Sequence, residues 1–350
     1  MLAPVTHILP VTTIRRERLL PVQGKVLVRK GQKVVATDTL AETNLTPEHL
    51  LLDLARGMGM PAEKVDGYIQ CKAGDQVSEG DILAGPVGLT RRVVRSPRRG
   101  RVVVAGGGQI LIEIQGQPFE LKAGLPGTVI DLIADRGVII ETTGALIQGV
   151  WGNGGIDFGL MYVLAAEAGQ ILTADRLDVS LRGAIVLGGH CETAEVLKTA
   201  SSLPLRGLIL SSLNPDLIPL AAKAGIPVVV IEGFGCQPMN SAAFKLLSTN
   251  ERREVALNAE PWEPYAGTRP EVVIPLPATG EPPLPKDTDS FAVGQTVRVV
   301  KAPYAGSIGT LVETGETAVL ASGLRAPTAE VRLENGENAV LPLANLEVLE

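Results

Sequence analysis

The sequence predicts a multidomain chain of α/β plus all-β class, with an all-β first third, a small doubly wound parallel α/β domain in the middle and a compact β-barrel at the end. Three observations predict it. A twelve-residue pattern occurs twice, Lys30-Gly31-Gln32-Lys33-Val34-Val35-Ala36-Thr37-Asp38-Thr39-Leu40-Ala41 being answered by Ala73-Gly74-Asp75-Gln76-Val77-Ser78-Glu79-Gly80-Asp81-Ile82-Leu83-Ala84. Continuous apolar strands then alternate with short helical stretches between Gly183 and Leu257. A proline-rich stretch separates these from a last β segment, Phe291 to Glu350.

In chain order, residues 1–18 read as an approach segment carrying the basic run Arg15-Arg16-Glu17-Arg18. Residues 19–125 read as the first β domain, because each copy of the repeat gives a strand, a Gly-led turn, a Val, a turn closing on Asp, and a return strand. One helix is expected inside it, N-capped by Thr46, with Pro47 in its first turn, Leu50, Leu51 and Leu54 as its apolar face, and Gly57 and Gly59 as its stop. Residues 126–258 read as an α/β domain with a β lead-in: strands at 183–189, 207–211, 226–231 and 254–257 alternate with helices at 193–202, 215–224 and 241–249. Buried strands alternating with helices imply a parallel sheet covered on both faces, with right-handed crossovers. Residues 259–288, with eight prolines, read as a semi-extended linker in which Val272 to Ile274 pair at most as an edge strand. Residues 289–350 are long enough for a small five-stranded barrel.

Composition narrows the class. The 350 residues are 45% hydrophobic and 3% aromatic, which implies cores of Val, Ile, Leu and Ala. No apolar run is long enough to span a bilayer, and the first ten residues lack the charged flank and long apolar core of an export signal, so a cytoplasmic, non-membrane protein is expected. Three cysteines, Cys71, Cys191 and Cys236, suit a reducing compartment rather than a disulfide framework. The net charge of −6 is uneven: residues 1–125 hold 17 Lys+Arg against 12 Asp+Glu, and the remainder 15 against 26. An anionic partner at the basic end and attraction between copies are both open, and oligomeric state is not read from the sequence.

The repeated Gly-x-x-Val and Gly-Asp-Ile-Leu-Ala units, with the turn Ser96-Pro97-x-x-Gly100-x-Val102, resemble the barrel-sandwich hybrid fold of biotinyl and lipoyl carrier domains and their non-carrier relatives. Carriers of that family present a modifiable Lys between these elements. Here Gly85 to Arg95 contains none, and neither does Glu42 to Leu45, so no covalent cofactor is expected. The segment instead carries Arg91, Arg92, Arg95, Arg98, Arg99 and Arg101. Arginine keeps its charge and offers a planar fork to phosphate or carboxylate, so these six are a candidate anion or nucleic-acid surface. Alternating strand positions could equally turn them to both sides, where acidic residues pair with them.

The segment Gly294-Gln295-Thr296-Val297-Arg298-Val299, followed by Pro303-Tyr304-Ala305-Gly306-Ser307-Ile308-Gly309, resembles a KOW motif. The resemblance implies an SH3-like barrel with Gly294, Val297, Val299, Tyr304, Gly306 and Gly309 as its motif positions, and loops that touch RNA, DNA or protein. Residues 289–350 hold four Lys+Arg against eight Asp+Glu, which makes a protein contact at least as good a fit as nucleic acid.

In an open parallel sheet, ligands sit beyond the carboxyl ends of the strands where strand order reverses. That places Gly188, Gly189, His190, Cys191, Asn214, Glu232 and Cys236 as candidate ligand loops. A Gly-Gly turn entering a helix suits an anion. His190, Cys191 and Cys236 lack metal-ligand spacing, and Cys191 beside His190 matches no nucleophile signature. Gly149 to Gly155 fits neither a dinucleotide nor a P-loop pattern, and His7 and His49 read as isolated surface residues. No catalytic or metal site is recognised. The sequence therefore favours a non-enzymatic multidomain binding or adaptor protein, with RNA, the transcription or translation machinery, or another protein as partner. An enzyme or small-ligand sensor using the sheet-edge loops is the alternative.

Overall fold

The structure is a computed structural model that describes residues 2–45, 48–88, 91–114, 118–263, 268–278, 280, 282–286, 288–320 and 322–350. It is β-rich, with 48% strand and 14% helix in several sheets. The chain divides into two compact units: a larger one of residues 1–19, 28–40 and 122–350, and a smaller one of residues 20–27 and 41–121. No helix among the described residues is long and apolar enough to cross a membrane.

The two copies of the repeat have the same local construction. Gly31 and Gly74 both take positive φ, 83° and 98°, and donate to the carbonyls of Val129 and Val102 at 2.8 Å each. Asp38 accepts from the Val35 N–H at 2.9 Å, and Asp81 from the Ser78 N–H at 2.7 Å, so each carboxylate closes its own turn. Val34 and Val77 are buried at the matching position of each copy, paired with Gly127 and Gly100 respectively. The first copy, in the larger unit, is thus clasped by Gly127-Thr128-Val129, and the second, in the smaller unit, by Gly100-Arg101-Val102. The two clasps also share a register shift just after their valines. In chain order the second repeat and its clasp lie between the first repeat and its clasp. The duplication is nested.

In the smaller unit a four-stranded sheet, Glu48–Asp53, Gln109–Ile114, Gly100–Gly106 and Gln76–Val77, packs its inner face on Leu54, Met58, Leu83 and Ala84. Leu50 and Leu51 belong to a strand, not to the expected helix. Leu50 and Leu52 pair with Ile112 and Ile110 and turn inward while Leu51 turns out, so cross-strand pairing overrides the helical propensity of the leucines. The helix is confined to Leu54–Met58. Asp53 caps it, accepting the Arg56 N–H at 2.9 Å, and Gly59 ends it at φ 67°. Thr46 and Pro47 lie outside the described residues.

The larger unit is built on a mixed sheet of twelve strands among the described residues. Its parallel part runs Val228–Phe234, Gly207–Leu213, Ala184–Leu187, Ile156–Val163. Both faces are apolar, as a covered sheet requires: Val186, Leu208, Leu210, Val228 and Val230 meet the helices Ala194–Ser202 and Ile218–Ala221. Ile185, Leu187, Ile209, Val229 and Ile231 meet the helix Ser241–Ser248. Burying such side chains stabilises by roughly 1.5–3 kcal/mol each. From Ile156–Val163 the parallel strands are added in chain order out to Val228–Phe234; the chain then returns through the helix Ser241–Ser248 on the other face to Glu254–Asn258, where the sheet continues antiparallel through Glu271–Pro275 and Gly137–Gln148.

The strand Glu271–Pro275 comes from the proline-rich stretch, yet it is an interior strand with Val272, Val273 and Ile274 fully buried. Residues 2–19 form two strands, Leu2–Thr6 and Ile8–Leu19. The basic run of the second is ion-paired along the sheet: Arg15 to Glu141 and Arg16 to Glu271 at 2.7 Å each, and Arg18 to Glu260 with Nη2 to Oε1 at 2.7 Å. Burial pushes the Glu260 carboxyl up, but the hydrogen bonds and charge of Arg18, with Asn258, hold it below the ordinary value. His7, expected at the surface, is 1% exposed because the chain passes directly from one sheet into the other there, and its carbonyl accepts from the Gln148 N–H. His49 is exposed.

A second sheet of the larger unit orders Thr288–Ser290, Leu2–Thr6, Leu346–Leu349, Thr296–Val299, Ile308–Val319, Arg325–Leu333 and Asn338–Pro342. Leu2–Thr6 runs parallel to Leu346–Leu349 and contributes Ala3 and Val5 to a core with Val297, Leu311, Val331 and Val348.

A Cβ on Gly100 would stand 2.5 Å from the Glu113 carbonyl oxygen, and one on Gly127 2.5 Å from that of Glu141. Gly100→Ala and Gly127→Ala are each expected to lower stability by about 1–3 kcal/mol in urea unfolding. A loss under about 0.5 kcal/mol, the size of a surface substitution, would show that the two clasps tolerate side chains and are not closely packed.

Candidate functional site

At the carboxyl edge of the parallel strands the candidate residues meet, but most are engaged in holding the edge together. The Gly188 N–H donates to the Ile209 carbonyl at 2.9 Å. The segment Gln170–Leu172 crosses so close to the glycine pair that a Cβ on either would collide, with the Gln170 carbonyl at Gly189 and Leu172 at Gly188. His190 continues this contact: its N–H donates to Gln170, and its carbonyl accepts from Leu172.

The His190 ring is hydrogen-bonded through Nδ1 to Ser212 Oγ at 3.0 Å. The Ser212 hydroxyl donates to the Gln237 carbonyl at 2.7 Å and accepts from the Gln237 N–H at 3.0 Å. A hydroxyl has one proton to give, so His190 must be the donor at Nδ1. That polarity is opposite to a nucleophilic Ser–His pair, in which the serine gives its proton to the imidazole. Cys191 alternates to the other side, into the core of Val186, Leu197 and Leu213. Burial pushes its thiol up to about 11, leaving it protonated at neutral pH. Asn214 caps the turn Pro215–Leu217 through the Asp216 N–H. Cys236 is exposed. No group of three His, Cys, Asp or Glu able to hold a metal ion occurs among the described residues.

Glu232 lies at the centre of a buried cluster. Its Oε1 accepts from the Asn240 N–H at 2.8 Å and the Asn240 side chain at 2.6 Å, and its Oε2 from Arg298 Nη1 at 3.0 Å. Arg298 also donates to the Ile231 carbonyl at 3.2 Å and to Glu347. Glu347 accepts from the Thr6 hydroxyl at 3.1 Å, and Thr6 in turn accepts from Arg269 Nη2 at 2.7 Å. The side chains of Arg298 and Glu232 are 3% and 1% exposed. Desolvation alone would pull the Arg298 guanidinium down, but the two glutamates more than reverse it and its pKa is raised. Outside the cluster Arg269 lies 5.1 Å from the centroid of the Trp262 ring. A cleft of about 370 Å³ opens beside the bridge, lined in part by Phe234, Gln237, Arg298, Val300 and Gly306.

Of the six positions of the KOW-like pattern, Val299 and Gly306 line this cleft. Val297 and Val299 point into the core of the C-terminal sheet. Gly294 turns at φ 91°, and Gly309 pairs with Val297. The Tyr304 hydroxyl donates to Glu337 at 2.6 Å. Gly306 packs on the carboxamide of Gln237, whose Oε1 would lie 2.6 Å from an added Cβ. Arg298, Glu347, Asn240 and Arg269 were not marked by the sequence. In the pattern Val297-Arg298-Val299 the arginine alternates away from the core of the C-terminal sheet, and only the sheet packed against it makes it a buried residue.

Of the six arginines of the smaller unit, Arg98 pairs with Glu48 and Arg101 with Glu113, each at 2.6 Å, and Arg95 donates to the Gly80 carbonyl at 2.7 Å. Among the described residues no carboxylate pairs with Arg91, Arg92 or Arg99, and all three are exposed. The structure therefore splits the cluster, as alternation allows, into neutralised and open members.

Arg298→Leu leaves the buried Glu232 carboxylate without a charge partner, and Glu347 with Arg269 at 3.8 Å, and is expected to cost about 3–5 kcal/mol in denaturant unfolding; a loss below about 1 kcal/mol would mean that the bridge is solvated. Native protein treated with iodoacetamide at neutral pH is expected to alkylate at Cys236 well before Cys71 or Cys191, read by peptide mass spectrometry. Equal labelling of Cys191 would contradict its burial. No protein-family model matches this chain, and no curated protein matches its sequence.

Proposed function

We propose that this is a non-enzymatic, multidomain binding or adaptor protein that holds an anionic partner, with RNA as the first candidate, on the arginine strand of the smaller unit. The carrying observation is the set Arg91, Arg92 and Arg99, three exposed guanidinium groups without a carboxylate partner among the described residues. A guanidinium left open by its own fold is free to meet phosphate in a planar, charge-assisted pair. The sheet edge supports the same reading from the other side, since the His190–Ser212 polarity and the protonated Cys191 are structural arrangements and not those of an activated nucleophile.

The two repeats, with the second clasp at Gly100 to Val102, support likening residues 19–125 to a barrel-sandwich hybrid without its carrier Lys; the first clasp, Gly127 to Val129, follows just after them. The return of Leu346–Leu349 to pair with Thr296–Val299, closing the meander of the last five strands, supports likening residues 289–350 to a KOW-type SH3-like barrel. In that module the loop at Gly306 is occupied by Gln237 of the same chain, which favours a protein contact there over nucleic acid.

A second reading, a small-ligand sensor, draws on the cleft of about 370 Å³ beside the Glu232–Arg298 bridge, a size within the range of ligand pockets. One experiment separates the two. Full-length protein is expected to be retained on immobilised RNA at low salt, to be released as salt rises, and to lose retention when Arg91, Arg92 and Arg99 are changed together to Glu. Absence of retention at low salt would remove the RNA reading, and a single-metabolite thermal shift in the same protein would install the sensor.

A further inference from the structure

The cleft beside the Glu232–Arg298 bridge has walls and a floor of distinct chemistry. Val150, Phe234, Val299, Val300 and Ala305 give it apolar walls. Phe234 is the largest of them, and its ring is braced by Trp151, which meets it edge-on with 6.2 Å between centroids. The charged groups of the lining are Glu232, Arg298 and Glu347. Arg298 bonds to both carboxylates, and Arg269 stands 3.8 Å from Glu347, so two guanidinium groups match two carboxylates. A charged ligand entering there would give up its water and meet no unmatched charge in return, and an uncompensated buried charge is costly.

One polar group of the lining is still open. Gln237 lines the cleft, and its backbone is fixed by Ser212, whose hydroxyl bonds to both its N–H and its carbonyl. Its carboxamide Nε2 reaches the Ala305 carbonyl at 3.4 Å. Its Oε1 lies against Gly306, which also lines the cleft, and meets no donor among the described residues. The pair His190–Ser212 at the sheet edge therefore holds an acceptor in place. From these walls, this charge balance and this acceptor we infer that the cleft binds an uncharged, single-ring aromatic compound, its ring against Phe234 and a hydroxyl or N–H donating to Gln237 Oε1. This inference rests on the small-ligand reading and deepens it by naming the charge, the body and the polar contact of the ligand. The cleft belongs to the larger unit and Arg91, Arg92 and Arg99 to the smaller, so the RNA reading is tested separately.

The test uses the full chain and ligand-observed NMR titration with three probes that share one ring: benzyl alcohol, benzylammonium and benzoate. The alcohol is expected to bind about tenfold more tightly than either ion. Benzyl methyl ether, which keeps the ring but has no donor, should bind about 3- to 10-fold more weakly than the alcohol, the range of one hydrogen bond. Gln237→Leu should abolish that difference. Ala305→Trp, at an exposed position, should fill the cleft and remove binding of the alcohol with the unfolding midpoint unchanged. Either ion binding as tightly as the alcohol would overturn the inference while leaving the small-ligand reading in place, and so would the ether binding as tightly as the alcohol. Binding of the alcohol that persists in Ala305→Trp would also overturn it, because the ligand would then lie elsewhere. Binding of none of the four probes would overturn the inference together with the small-ligand reading.

Discussion

The buried bridge from Glu232 through Arg298 to Glu347 is the constraint around which the larger unit is arranged. It joins segments far apart in sequence: the end of the strand Val228–Phe234, the first strand of the C-terminal meander, the last strand Leu346–Leu349 and, through Thr6, the strand Leu2–Thr6. A guanidinium out of water is tolerated only when its charge is closely paired. Here it donates to Glu232, to the Ile231 carbonyl and to Glu347, its Nη2 faces the Glu347 carboxylate as an ion pair without a hydrogen bond of its own, and Asn240 donates twice to Glu232 Oε1. Such a bridge adds little net stability compared with a hydrocarbon of the same shape, but it is intolerant of misplacement. It therefore selects one register between the two sheets of this unit, which apolar surfaces alone would leave less defined.

The nested repeat provides the second organising principle. Each repeat presents a two-residue strand that is too short to stand alone and is completed by a Gly-x-Val clasp supplied later in the chain. Glycine is required at the clasp because the neighbouring carbonyl approaches where a side chain would be. The chain leaves the first repeat, builds the whole second repeat with its clasp, and only then returns to close the first. The arginine strand lies between the second repeat and its clasp, where the local fold is fixed by the repeat and the exposed positions are left free for charge.

Much of this was legible in the sequence. The apolar runs around Ile185, Leu208 and Val229 and the intervening helices are where periodicity places them, and the twelve-residue repeat is a structural repeat. The first clasp was not legible, since Gly127-Thr128-Val129 matches its counterpart at only two positions. The strand pairing of Leu50 and Leu51 was hidden because leucine serves either period, and the partner strand Gln109–Ile114 lies almost sixty residues away. The site was less legible than the fold. His190, Cys191 and Glu232 lie at one sheet edge, but sequence does not tell whether a polar side chain there is offered to a ligand or consumed by a neighbour. Arg298 shows the same limit: alternation puts it outside the core of its own sheet, and only the neighbouring sheet turns that outside into an interior.

The parallel pairing of Leu2–Thr6 with Leu346–Leu349 has a consequence for how the molecule is made. During synthesis the strand Leu2–Thr6 must wait for all the residues up to Leu346 before this hydrogen-bonding partner exists, and pairing at such separation is slow and leaves an unpaired edge exposed meanwhile. The smaller unit, whose contacts are all made within about a hundred consecutive residues, has no such delay. Assembly of the protein is therefore expected to be ordered in time, with the smaller unit complete while the larger is still open, and a nascent chain stalled before Leu346 would keep the strand Leu2–Thr6 available to chaperones.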